Sequence, residues 1–216
     1  MKGLISRTNA GLVLGLDLAG SPKRPTGVCR LSKGLARTRL LYADDEILDY
    51  VLEEKSVLVA IDAPLKLPPG RASIHDRNDS HYRICDLELR RRKIPFFPIT
   101  LGPMRSLTER GMHLAREIKR HRIRVIEIYP GGAQDVWGIP RAARDGDGLR
   151  RGLRALGVKG LRKAASSHEL DAATGALVGD LFLRGEAEVY GNFAQGAIVM
   201  PKDTRTMSSS AGSARS

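Results

Sequence analysis

Three short apolar runs constrain this chain more than any other feature, because each carries one acid near its end. "GLVLGLDLA" carries Asp17 near its end, "VLVAID" closes on Asp62, and "VIEIYP" holds Glu127. Apolar runs of this length, bounded by turn formers, read as buried strands. The first covers residues 11–19 and stops at Gly20-Ser21-Pro22; the other two stop at Pro64 and Pro130. A carboxylate in such a run is costly to bury unless it is paired, hydrogen-bonded or bound to a metal. Either these acids cap turns at strand ends, or the strands gather them at one end of a sheet.

The intervening sequence fixes the class. Residues 27–32 alternate as a second strand, and Gly34 allows a turn into the third, "LARTRLLYA". Connections this short leave no room for helical crossovers, so the three strands form an antiparallel meander. "DDEILDYVLEE" follows as a helix with Ile47, Leu48, Val51 and Leu52 on one face; Asp44, Asp45, Glu46 and Asp49 are helix-start charges. Residues 63–81 make a polar loop. "YRICDLELRRRKI" is basic and helix-like, "PFFPITLGP" is extended or looped, and "MRSLTERGMHLAREIKRH" has helical spacing that Gly111 weakens. A short helix in "GGAQDVWGIP" and a basic one in "DGDGLRRGLRALGVKG" follow. "SSHELDAATGALVGDLFLRGEAE" is the strongest helix, with Ser166 or Ser167 as cap and Glu169 in its first turn. "AEVYG" and "GAIVMP" pair as a hairpin. The expected fold is α/β: a mixed central sheet with flanking helices, and strands 56–62 and 123–129 beside strand one. Residues 1–201 read as one domain and 202–216 as a disordered tail.

Composition narrows the setting. No apolar stretch is long enough to span a bilayer, so no membrane role is expected, and the N-terminus lacks a signal-peptide layout. Cys29 and Cys85 stand far apart and suggest neither zinc nor a disulfide framework, which fits a reduced, cytoplasmic protein. The net charge of +12 favours polyanionic partners such as nucleic acid, although an arginine-rich proteome gives the same surplus. "RRRK" (90–93) and "KRHRIR" (119–124) read as solvated faces or as tracks for a phosphate backbone. The loop with Ser21, Lys23, Arg24 and Thr26 lacks the spacing of a P-loop and reads as a solvated turn. Trp137 and the pair Phe96-Phe97 read as core rather than as base-stacking platforms.

Asp171 adds a fourth acid, within the first turn or so of the strongest helix, with His168 three residues earlier on the same face. Carboxylates gathered in one cleft repel, so they call for cations. Oxygen-only donors select Mg²⁺ or Mn²⁺. Two such ions about 3.5–4 Å apart activate water and stabilise a leaving oxygen in phosphodiester cleavage. Each residue keeps a plainer alternative: a turn cap for Asp17 and Asp62, a pair with Arg122 or Arg124 for Glu127, a helix-start charge for Asp171, a cap neighbour for His168.

The stretches "GLDLAGSPKRPTGVC", "VAIDAPLKLP", "CDLELRRRKIPFFPITLGPM", "VIEIYPGGAQDVWG" and "HELDAATGALVG" resemble, in this order, the domain-of-unknown-function 429 family of predicted nucleases. The resemblance spans residues 11 to about 200. It implies the RNase H-like layout of meander, helix, strand and alternating helices and strands. It also implies metal-binding roles for Asp17, Asp62 and Asp171, and a catalytic role for His168; Glu127 has a less certain counterpart. Nucleic acid, DNA or RNA, is the implied substrate. Two other functions remain open: an actin-like or sugar-kinase-type phosphotransferase, and a non-catalytic nucleic-acid-binding module whose acids pair with arginine.

Overall fold

The computed structural model describes residues 11–203. Most of the expected C-terminal tail, from residue 204 on, lies outside the described residues.

The meander forms as expected. Strand β1 (Val13–Asp17) pairs antiparallel with β2 (Thr26–Ser32), which pairs antiparallel with β3 (Leu35–Leu41). Helix α1 (Asp44–Glu53) leads to β4 (Leu58–Ile61), which lies parallel to β1. After a long irregular segment come α2 (Ile84–Arg91) and α3 (Gly102–Arg120). Then follow β5 (Arg124–Ile128), α4 (Pro130–Trp137), α5 (Gly146–Ala155) and α6 (Ser167–Leu183). The hairpin of β6 (Ala187–Asn192) and β7 (Gly196–Pro201) closes the order.

All seven strands join one sheet in the order β3-β2-β1-β4-β5-β7-β6. This is the expected mixed α/β sheet with flanking helices. One expected neighbour differs: β4 borders β1, but β5 borders β4 instead. Strand β2 already fills the other side of β1, which leaves β1 a single parallel neighbour.

The two faces of the sheet are covered by different helices. Val13, Leu58, Ala60, Ile126 and Ile128 face the core formed with α5 and α6. Leu14, Leu16, Val59 and Ile61 face the core formed with α1 and α3. Ser166 caps α6 by accepting from the Glu169 N–H, and the Glu169 carboxylate accepts from the Ser166 N–H at 2.9 Å. Thr38 on β3 donates to the same carboxylate at 2.7 Å, tying the start of α6 to the sheet. Trp137 packs at the edge of the core as expected. Phe97 does not: it is 73% exposed, held outward between Pro95 and Pro98, while Phe96 tucks against the sheet.

Candidate functional site

Asp17 ends β1, and Asp62 follows the last residue of β4. The Asp62 N–H donates to Leu16 O at 2.8 Å, so the parallel ladder runs on and brings the two acids side by side. The charge of the Asp17 carboxylate bears directly on the Asp62 carboxyl. The first turns of α6 add the other two residues. His168 Nδ1 lies 2.6 Å from Asp17 Oδ2, and Asp171 Oδ1 accepts from Gln134 Nε2 of α4 at 2.6 Å. The buried Gln134 also donates to Thr174 Oγ1 at 3.1 Å, which fixes its amide against α6.

Two glycines let α6 reach this position. A Cβ on Gly27 would stand 2.0 Å from His168 O, and one on Gly15 would stand 2.0 Å from Ala172 O. Both obstacles are helix backbone, so only a residue without a side chain permits the contact. Beyond Asp17, the Ala19 N–H donates to Thr26 Oγ1 at 3.2 Å. The buried Arg110 of α3 donates to Ala19 O and to Asp44 Oδ1, each at 2.7 Å, and to Tyr42 O. The loop so held walls a groove of about 470 Å³ with Ser21, Arg24, Ser106 and His168 along it.

Electrostatics mark the cluster. Burial, then the charges of Asp17, Asp171 and Glu127, hold the Asp62 carboxyl well above its ordinary range. Burial and the Asp17 charge push Asp171 up to about 6, against the lowering effect of the Gln134 amide. The hydrogen bond to Asp17 raises the His168 imidazole. Among the described residues, no arginine pairs with Asp17, Asp62 or Asp171, so the abundant guanidiniums do not neutralise them.

Glu127 stands apart, and strand periodicity explains it. Side chains alternate faces along a strand. Ile61 is the partner of Glu127 in the β4–β5 register, so Glu127 shares the α1–α3 face with Leu16 and Ile61. Asp17 and Asp62 continue the alternation of Val13 and Ala60 on the α6 face. Glu127 pairs with neither Arg122 nor Arg124. Its Oε2 accepts from Arg83 Nη1 at 2.7 Å and from the Leu65 N–H at 2.8 Å. Arg83, 2% exposed, also grips both oxygens of Asp86. Burial raises the Glu127 carboxyl despite the opposing pull of Arg83. Arg83, Gln134 and Arg110 all escaped the reading of the sequence; only Arg83, three residues before Asp86, carried even a local signal.

The oxygen donors of Asp17, Asp62 and Asp171 have the chemistry for a hard cation. As the side chains stand, no group of three or more His, Cys, Asp or Glu among the described residues is arranged to hold an ion.

No curated protein matches the chain. Two solved structures share the overall outline. One is Thermus thermophilus RuvC in complex with a Holliday junction substrate, at 13% identity and a TM-score of 0.49, covering 81% of this chain and 96% of that one. The other is a Thermus thermophilus RuvC structure, at 14% identity and a TM-score of 0.41, with the same coverage. At those scores neither likeness carries an argument about chemistry. The match to a family is of another order: the family model described as "Protein of unknown function (DUF429)" aligns with residues 15–195, and this chain belongs to that family.

Proposed function

We propose that this protein is a divalent-metal-dependent nuclease that hydrolyses phosphodiester bonds of nucleic acid. The observation that carries the reading is the crowding of Asp17, Asp62 and Asp171, with two of the three carboxyls held above their ordinary range and none paired with arginine. A cluster that repels itself in this way is relieved by a cation. Bound there, Mg²⁺ or Mn²⁺ would supply an activated water and a charge to stabilise the leaving oxygen. Asp17 and Asp62 would offer oxygens from rigid strand ends, and Asp171 from α6. Asp17 also fixes the His168 ring through Nδ1, leaving Nε2 for a proton or a water in the groove. Arg24 lends that groove a positive charge suited to a phosphate. Glu127 acts from the other face: it anchors Leu65, three residues past Asp62.

The +12 charge fits a polyanionic substrate. No helix of the described residues is long and apolar enough to cross a membrane. Cys29 and Cys85 are free and buried, which fits the cytoplasm. We take residues 1–201 as one domain because every described strand joins one sheet.

The test incubates labelled DNA and RNA, single-stranded, duplex and branched, with Mg²⁺, Mn²⁺ or chelator. Hydrolysis should require metal, and Asp17→Asn should reduce it by more than about a hundredfold. Metal-free stability should hold or rise as repulsion is relieved. A sharp fall in melting temperature with hydrolysis intact would make Asp17 a structural partner instead.

A further inference from the structure

A second cavity opens on the face of the sheet that carries Glu127. It measures about 160 Å³ and begins at Asp62. Its floor is polar, formed by Arg83 and Glu127; its walls are apolar, formed by Phe96, Ile99, Met104 and Leu107; Phe97 stands at its rim. The cavity far exceeds the ~10–15 Å³ that one water needs, yet falls below the ~300–1,000 Å³ of pockets that engulf a whole drug-sized ligand. A single ring system matches that size.

The floor defines what kind of ring. Both hydrogen bonds to Glu127 land on Oε2, so Oε1 accepts none from the described residues. Arg83 spends three N–H groups on Asp86 and Glu127, and a guanidinium has five. An open acceptor therefore lies beside a donor, both at the bottom of an apolar slot. The edge of a nucleobase presents the complementary pair, and its faces suit apolar and aromatic walls.

The rim is built for stacking. Phe97 is 73% exposed although it lies in a short, proline-bounded segment. Tyr129 donates to Pro95 O at 2.6 Å, and Phe96 meets Tyr82 edge to face at 6.2 Å, so the segment is held at Pro95 and at the Phe96 ring just before Phe97. An aromatic ring held in water by a fixed backbone is poised for a flat partner.

We propose that this cavity receives an unpaired base of the nucleic-acid strand, stacked by Phe97 and read at its edge by Glu127 and Arg83. The strand's backbone then passes Asp62 into the groove beside His168. Met104 and Leu107 line both the cavity and that groove, so the two are joined along one wall. The inference rests on the nuclease reading for its ligand class, and it adds that the substrate is unpaired next to the acids.

Binding in chelator, without hydrolysis, tests it. The probes are a fluorescent twelve-residue single strand and an all-abasic strand of the same length. The wild type should prefer the base-bearing strand by about tenfold, equivalent to about 1.4 kcal/mol. Phe97→Ala, which removes an exposed ring, and Ile99→Phe, which narrows the slot at a wall residue absent from the groove, should each erase the preference and leave the abasic strand bound as before. Phe97→Trp should restore it. The inference is overturned if the wild type shows no preference, if either variant keeps it, or if both strands weaken together. A parallel hydrolysis assay separates the two readings. Metal-dependent cleavage without base preference removes the pocket alone; base preference without cleavage removes the nuclease reading alone.

Discussion

Replacing Arg83 by methionine puts the buried charge network to a quantitative test. The guanidinium donates to Asp86 Oδ2 at 3.0 Å, to Asp86 Oδ1 at 2.8 Å and to Glu127 Oε2 at 2.7 Å. Methionine fills much of the volume and supplies none of the charge. Two carboxylates are then buried without a counter-ion. Each keeps a backbone donor, the Arg83 N–H for Asp86 and the Leu65 N–H for Glu127, which moderates the loss. Breaking a buried pair by removing one partner destabilises by about 3–5 kcal/mol, and Arg83→Met should fall near ~4 kcal/mol at neutral to alkaline pH. For a chain of this size that lowers the melting temperature by roughly 8–16 °C. The loss has a sign in pH. With Arg83 gone, its lowering pull on the Glu127 carboxyl is lost, and burial holds that carboxyl further above its unfolded value. Such an acid takes stability away as pH rises through the window between its unfolded and folded values, and returns it as pH falls. Urea unfolding followed by circular dichroism should therefore show the deficit largest near about pH 8 and shrinking toward about pH 4. Restoring neutrality in the triple variant Arg83→Met, Asp86→Asn, Glu127→Gln should recover most of it. A single-variant deficit under about 1 kcal/mol, or one independent of pH, refutes the reasoning.

Two further perturbations probe the acid side. Asp171 is raised from 3.8 to about 6, so the wild type carries a penalty that is absent below the unfolded value and full above the folded one. Asp171→Asn keeps an acceptor for Gln134 and should stabilise the metal-free protein by up to about 3 kcal/mol near neutral pH, with no gain in acid; a gain that ignores pH counts against the assignment. Gly27→Ala drives a methyl into the first turn of α6 and should cost about 1–3 kcal/mol. Proton NMR should then find the His168 imidazole back toward its ordinary pKa; an unchanged titration would mean the close contact does not hold the ring.

Much of the layout was legible because it rests on local signals. Short connections dictated the meander, and Ser166 with Glu169 announced the start of α6. The strand-ending positions of Asp17 and Asp62 also read correctly. Glu127 misled because strands buried on both faces are continuously apolar, and a continuous run hides which residues face which layer. Its one-residue offset from Asp62 only acquires meaning once the β4–β5 register is known. Arg83 lies 44 positions from Glu127, and no local pattern ties two residues so far apart. Phe97 followed the rule that aromatic residues bury, but the prolines on either side of the Phe96-Phe97 pair leave room for one ring to turn inward, and Phe96 takes it.

The bare backbone contact of Gly15 and Gly27 with α6 has a mechanical consequence. Most helices rest on sheets through a cushion of interlocking side chains, which absorbs small movements by changing rotamers. At these two points main chain meets main chain, and no rotamer there can yield. Any tilt or slide of α6 is passed undamped to the spacing between Asp171 and Asp17. The distant end of that helix is therefore a lever on the acids, and substitutions beneath Val178 or Leu181 should alter the spacing of Asp17 and Asp171 at the far end of the same rod.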